Sequence, residues 1–382
     1  MSIDLQLFGE KLKRYRTQFQ TSITELANAT GVSEDLLQSY ENAQREPTGD
    51  QILILADYFK CDYKFFVSNE TLAAFEQTET LFRAHGNVIS KTDRWSIQEF
   101  LFLCECEAHL AEILPTATQT AFSFQKSGTN YKKHGETAAV DLRRHFGHTS
   151  NEIGLDVFQD FRRIGIHIFR RTLVNSDISG LFIRHPTAGR CVLVNYSEDI
   201  YRQRFTVAHE AGHAILDDDQ DVVITFTKWD KKNLSEVRAN SFASHYLMPR
   251  EFLRAIPQAD FRTLQKLVEW ASRLKVSTAA LAIALRREGL IDEAKGRELR
   301  SVTVPLHDKV DAELPATLPP NPRTRKMALL RRGLSDYYVS LCFDGYAQGH
   351  VSAGRLAEML LVTAEELPSI ASLYGRRLNY GD

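Results

Sequence analysis

The amino-acid sequence predicts an α+β protein, mostly helical, with one small and mostly antiparallel sheet. Three observations carry that prediction. Apolar residues recur at three- and four-residue spacing along most of the 382 residues, the period of helices packed through one face. Between residues 160 and 225 the pattern changes to short runs rich in β-branched and aromatic residues, Gly165–Phe169, Ser179–Ile183 and Cys191–Val194, separated by Asn, Asp, Pro and Gly. Five of the eleven prolines, Pro305, Pro315, Pro319, Pro320 and Pro322, crowd into residues 304–322, which read as a linker between helical segments.

With 43% hydrophobic and 25% charged residues, the composition is that of a globular protein long enough for two or three domains. The 47 Lys and Arg against 49 Asp and Glu leave a net charge of −2. That balance excludes a polycation acting through overall charge, so nucleic-acid binding would have to come from a local motif. The segment MSIDLQLFGEKLKR lacks a basic stretch followed by an apolar run, and no 18 consecutive residues are apolar. Neither a secretory signal nor a membrane span is expected. The five cysteines, Cys61, Cys104, Cys106, Cys191 and Cys342, are scattered and never spaced C-x-x-C, which fits reduced thiols in the cytoplasm. Cys104-Glu-Cys106-Glu-Ala-His109 reads as core cysteines with surface acids on one helix of the 75–115 segment, and His134, His145, His167 and His185 lack ligand spacing.

One packing motif recurs three times. Ala27, Val32, Ser33 and Leu37 return at the same spacing as Ala271, Val276, Ser277 and Leu281, and again as Ala357, Val362, Thr363 and Leu367. A small residue on one helix, a β-branched residue in a tight turn, a hydroxyl at an N-cap and an inward Leu are what two steeply crossing helices require. Only the first copy has Gly at the turn, Gly31, where a positive φ costs least; Lys275 and Leu361 stand there in the others. Around that copy, residues 5–67 resemble the XRE/Cro-type helix-turn-helix family. Ile23–Ala27 lies in the first motif helix, Gly31–Ser33 is the turn, and Ser33–Asn42 is the recognition helix, closed by Glu41, Asn42 and Pro47. The resemblance implies that Ser33, Glu34, Gln38, Ser39 and Asn42 face a DNA major groove. Charge points elsewhere. Residues 1–68 hold seven Lys and Arg against ten Asp and Glu, and Glu34 and Asp35 open the recognition helix, where phosphates would lie. Docking onto another helix-turn-helix protein, or onto a second copy in a homodimer, is the alternative to DNA.

The chemistry is carried by Arg204-Phe-Thr-Val-Ala-His209-Glu210-Ala-Gly-His213-Ala-Ile-Leu216. Two histidines four apart on a helix share a face and can reach one cation, while the Glu between them can hydrogen-bond a water at that cation. His209 and His213 are thus metal-ligand candidates and Glu210 the candidate general base. A catalytic zinc site needs a third protein ligand. Asp219 would require a tight turn where Leu216 stands, and Asp217 and Asp218 read as a solvated helix end. Glu236 is the best candidate, in the first turn of a second helix whose Ala239, Phe242, Ala243 and Tyr246 recur on one face.

Arg204-Phe-Thr, His209-Glu-x-x-His213, Glu236-x-x-Ala239-Asn240-x-Phe242-Ala243 and Leu247-Met248-Pro249 together resemble the ImmA/IrrE family of metallopeptidases, over roughly residues 140 to 290. The resemblance implies a zincin-like core, Zn2+ on His209, His213 and Glu236, and Glu210 as base. It also implies a cytoplasmic enzyme that cleaves a helix-turn-helix repressor and so releases stress, mobile-element or phage-defence genes. The strand ending at Val194 is expected to pair with extended substrate. Tyr196, Tyr201, His245 and Tyr246 are candidates for stabilising the oxyanion, and none is assigned.

The expected domains are a helix-turn-helix domain at 1–68, a helical connector at 69–135, the metallopeptidase domain at 136–303, the linker at 304–322 and a C-terminal helical domain at 323–382. The competing function is a DNA-binding regulator in which the zincin-like domain senses and does not cleave. A third reading makes Arg323, Arg325, Lys326, Arg331, Arg332, Tyr337 and Tyr338 a sensor that lets single-stranded nucleic acid act as activator.

Overall fold

The computed structural model describes residues 3–61, 63–68, 89–115, 120–149, 151–153, 156–174, 177–217, 222–226 and 233–378. Two compact units emerge, Met1–Leu103 with Leu173–Asn175, and Cys104–Thr172 with Ser176–Asp382. None of the helices described is long and apolar enough to cross a membrane.

The first unit is a helical bundle of α1 (Leu5–Gln18), α2 (Ile23–Thr30), α3 (Glu34–Glu41), α4 (Gly49–Phe59) and α5 (Lys64–Val67), with the first turns of α6 (Lys91–Ile113). Its helix starts follow from local chemistry. Ser22 and Thr48 form reciprocal capping boxes with Glu25 and Gln51, and the Ser33 hydroxyl accepts from the Leu36 amide. Gly31 ends α2 in the left-handed region at φ 73°, so the chain reverses into α3 without steric cost. Leu12, Tyr15, Phe19, Leu26, Leu37, Leu55 and Phe59 are fully buried, and Trp95 of α6 stacks on Phe59. Two cations are spent inside the bundle. The Lys11 ammonium donates to the Phe65 and Ser68 carbonyls, each at 2.6 Å, and Arg16 grips Glu41 through two bonds of 2.6 and 2.9 Å.

The second unit is built on a four-stranded sheet in the order β1-β3-β2-β4, with β1 at Ile166–Arg171, β2 at Ile178–His185, β3 at Gly189–Asn195 and β4 at Val222–Phe226. The β1–β3 pair is parallel and the other two pairs are antiparallel. One face, with Ile166, Ile168, Phe182, Val192 and Val194, packs in a common core with α7 (Tyr131–His145), α8 (Val157–Arg163), α9 (Ile200–Leu216) and α10 (Leu234–Leu247). β3 lies between β1 and β2 with both edges paired, so the expectation that the strand ending at Val194 receives substrate is corrected. β4 is the outer strand on that side, and among the described residues no strand pairs with its far edge.

The remaining helices are α11 (Arg250–Ala255), α12 (Leu264–Leu274), α13 (Thr278–Arg287), α14 (Glu293–Arg300), α15 (Pro320–Arg331), α16 (Asp336–Ala347), α17 (Ala353–Met359) and α18 (Leu367–Leu373). The second and third copies of the repeated corner join α12 to α13 and α17 to α18. Lys275 and Leu361 take φ of 54° and 53°, the conformation Gly31 takes in the first copy. Ser277 caps α13 as expected, accepting from the Ala280 amide, but Thr363 is not an N-cap: it accepts from the Glu366 amide in a turn that precedes α18, whose N-cap is Glu366 without a side-chain bond. The proline-rich stretch is clasped to the sheet. The buried Arg170 pairs with Asp311 at 2.7 Å and Glu313 at 3.1 Å, and the Thr172 amide donates to the Arg331 carbonyl. α15 starts at Pro320, inside the expected linker, because Pro at a helix start sacrifices no hydrogen bond.

Candidate metal centre

α9 and α10 bring the predicted residues together. α9 is buried almost all round from Tyr201 to Leu216, as befits a helix placed between a sheet and a second helix. Ala211 and Gly212 lie within it, and a side chain at Gly212 would press on Ala239 and Phe242 of α10, so the small residue sets the close approach of the two helices. The His209 and His213 Nε2 atoms lie 3.1 Å apart. Glu236, in the first turn of α10, places Oε2 at 3.3 Å from His209 Nε2 and Oε1 at 3.2 Å from His213 Nε2. Among the described residues this is the group of His, Cys and acid side chains whose donor atoms converge, all within 4.8 Å of one another. Two imidazole nitrogens and one carboxylate oxygen form a donor set that suits zinc.

Electrostatics fit a cation at that point. Burial by itself would raise the Glu236 carboxyl, yet the His209 and His213 imidazoles hold it well below the usual carboxylate range. Burial lowers His209, with Glu236 opposing, so the ring favours the neutral form that can ligate. Glu210 is 0% exposed, and both its carboxylate oxygens are buried without a full hydrogen bond. Burial pushes its carboxyl up to about 8, eased by the His213 charge and by the Thr225 hydroxyl of β4 alongside. An orphaned buried carboxylate next to three converging ligand atoms is what a cation and a water would satisfy. Space for it comes from β2: a Cβ on Gly180 would lie 3.0 Å from Glu210 Oε1 and 2.6 Å from Thr206 Cγ2.

Sequence reasoning missed a further layer. His209 Nδ1 meets Asn240 Oδ1 at 3.1 Å, and His213 Nδ1 meets Asp217 Oδ2 at 2.5 Å. Asp217, expected as a solvated helix end, is 1% exposed and also pairs with Arg238 of α10. Two signals were available, because Asp217 follows His213 by four residues and Asn240 follows Glu236 by four, each spacing one turn along the same face. Asp218 and Asp219 lie outside the described residues. The oxyanion candidates are engaged elsewhere: the Tyr201 hydroxyl donates to the Ser272 carbonyl, the Tyr246 hydroxyl to Asp160, His245 Nδ1 contacts the Ser241 carbonyl, and Tyr196 lies beside the Arg170 guanidinium.

In the helix-turn-helix, Ser33, Glu34, Gln38 and Asn42 are exposed along α3 or at its caps. Ser39 is not among them. It is 9% exposed and its hydroxyl donates to the Leu36 carbonyl at 2.7 Å, which withdraws it from any groove-facing row. Tyr338 is fully buried, with its hydroxyl on the Met359 carbonyl, so it offers no stacking face to a base. Arg323 and Lys326 are turned to the Leu314 carbonyl and to Asp336. Of the acids next to the cysteines of α6, Glu107 proves buried, 2.9 Å from His167 Nδ1, where a surface position was expected.

Comparison with known proteins agrees with this geometry. Residues 161–286, which hold the whole His209, His213 and Glu236 set, match the family model of the IrrE N-terminal-like domain, peptidase M78. Residues 12–66 match the helix-turn-helix model. Over 101 residues the chain is 34% identical to the radiation response metalloprotease IrrE of Deinococcus radiodurans, a stretch amounting to 25% of this chain and 31% of that protein. Residues 161–286 are therefore similar to the IrrE N-terminal-like domain of peptidase M78, and residues 12–66 of the same chain to a helix-turn-helix domain.

Proposed function

We propose that this chain is a zinc-dependent, site-specific endopeptidase that cleaves a helix-turn-helix repressor in the cytoplasm and so releases stress, mobile-element or phage-defence genes. The observation that carries the reading is the convergence of His209, His213 and Glu236 beside the buried Glu210. Zinc held by those three side chains would supply Lewis acidity toward the scissile carbonyl and acidify a water. Glu210 takes the water's proton and returns it to the leaving amine. Its complete burial suits a group that accepts and donates a proton away from bulk water. The outer edge of β4, whose Thr225 adjoins Glu210, offers main-chain hydrogen bonds to an extended substrate segment. The helix-turn-helix domain, with Ser33, Glu34, Gln38 and Asn42 exposed, would bring the enzyme to DNA or to its protein partner.

The same exposed recognition row supports the competing reading, a DNA-binding regulator whose zinc domain senses without cutting. Incubating the full chain with a candidate repressor, with and without chelator, and mapping fragments by mass separates them. The endopeptidase reading expects one chelator-sensitive cut that disappears in Glu210→Gln while bound zinc is retained. A cut that survives in Glu210→Gln would exclude the assigned base, and operator binding without any cut would favour the regulator.

A further inference from the structure

The two imidazoles of the metal centre are backed differently. His209 presents its Nδ1 to a neutral amide, Asn240, whereas His213 presents its Nδ1 to a carboxylate, Asp217, at the shorter distance of 2.5 Å against 3.1 Å. Asp217 is the C-cap of α9 and is 1% exposed. A carboxylate there is disfavoured twice, by loss of water and by the negative end of the helix, so its presence needs compensation. Arg238 supplies it. This buried guanidinium pairs with Asp217 and lies over the Tyr131 ring of α7, 5.1 Å from its centre. Arg238 is on α10, two residues from Glu236 and two from Asn240. One helix therefore provides a ligand, the partner of one ligand, and the partner of the other ligand's partner.

We propose that Asp217 and Arg238 are a positioning pair for the metal centre: Arg238 pins the Asp217 carboxylate, and the carboxylate holds His213 with Nδ1 protonated and the Nε2 lone pair turned toward the ion. The proposal rests on the zinc reading above. A hydrogen bond to an anion fixes the ring's tautomer and rotation and makes the opposite nitrogen a stronger donor, which a neutral amide does less well. His213 is thus the stronger of the two imidazole ligands, and the charge of Asp217 tunes it.

The test is competition of the full chain against a fluorescent zinc chelator, with the visible spectrum of the cobalt-loaded protein as a second readout. Asp217→Asn should weaken zinc binding by roughly 10- to 100-fold, the range found when such partners are removed, and shift the cobalt bands. Asn240→Ala should weaken it less. Because Asp217→Asn leaves the Arg238 guanidinium without its counter-charge and can unsettle the fold, the double variant Asp217→Asn with Arg238→Gln removes both charges and should show the same loss of affinity. Wild-type affinity and an unshifted cobalt spectrum in either variant would overturn the proposal while leaving the three-ligand centre standing. A wild-type chain that binds no zinc would overturn both.

Discussion

The two helices that carry the candidate functions, α9 and α3, are opposites. α9 is closed in from Tyr201 to Leu216, and its chemistry depends on that closure, because a water-exposed Glu210 would keep an ordinary carboxyl where burial raises it to about 8. α3 buries Leu37, Ser39 and Tyr40 and leaves Glu34, Asp35 and Gln38 in solvent, where they are available to a partner. A reactive group is made by removing water around one side chain, and a recognition surface by leaving water around several. Substitutions on α9 should therefore act on chemistry and stability together, and those on the outer face of α3 on binding alone.

The largest expected effect is at Glu210. Glu210→Gln should lower the rate of repressor cleavage by roughly 10²- to 10⁴-fold, the usual contribution of a general base, read from initial rates at equal zinc content. The same variant probes burial in the metal-free protein. The folded carboxyl sits at about 8 against an ordinary 4.5, so the native state holds a proton that the unfolded chain has released between those values. Wild-type stability should fall as pH rises from 4.5 toward 8, on the order of a few kcal/mol, while Glu210→Gln stays level through that window. Denaturant melts across the range check the sign, and parallel curves would mean that Glu210 reaches water.

Next in size is Gly180→Ala. The added methyl would meet Thr206 Cγ2 at 2.6 Å, and Leu193 O and Glu210 Oε1 at 3.0 Å, so the variant should lose about 1–3 kcal/mol and some activity with it. Gly354→Ala is the contrast: nothing lies within 4 Å of a Cβ there, and in a helix the change should stabilise by about 0.5–1 kcal/mol. Smallest is the α3 test. Gln38→Ala should leave the melting midpoint within about 0.5 kcal/mol of wild type while weakening capture of the partner, DNA or protein, in a binding titration. A folding defect in that variant would mean that the outer face of α3 is packed.

The three corners sharpen what was legible in the sequence. Spacing alone located all of them, and the inner leucines are buried in each, but the N-cap hydroxyl holds only for Ser33 and Ser277, because in the third copy a turn separates Thr363 from the helix. The positive φ at Lys275 and Leu361 was not legible, because packing on both sides overrides a local preference of about 1 kcal/mol. Lys275→Gly should accordingly stabilise, and Gly31→Ala destabilise, by about that amount. At the candidate metal centre, the convergence of His209 and His213 on one face was readable because helical periodicity is local, and the nearness of Glu236 because its helix showed one apolar face. Arg238 carried no such signal, since its partner Asp217 belongs to another helix. The order of the sheet was equally hidden: β3 runs straight into α9 in sequence, yet its edges are taken by β1 and β2, and no local pattern reports which strand is outermost.

X-ray absorption at the zinc edge of the full chain, loaded with one equivalent of zinc, reads directly which atoms surround the ion. Two imidazole nitrogens with carboxylate or water oxygens and no sulfur, a signature lost in Glu236→Ala, is the predicted result. A shell containing sulfur, or one unchanged by that substitution, would contradict it.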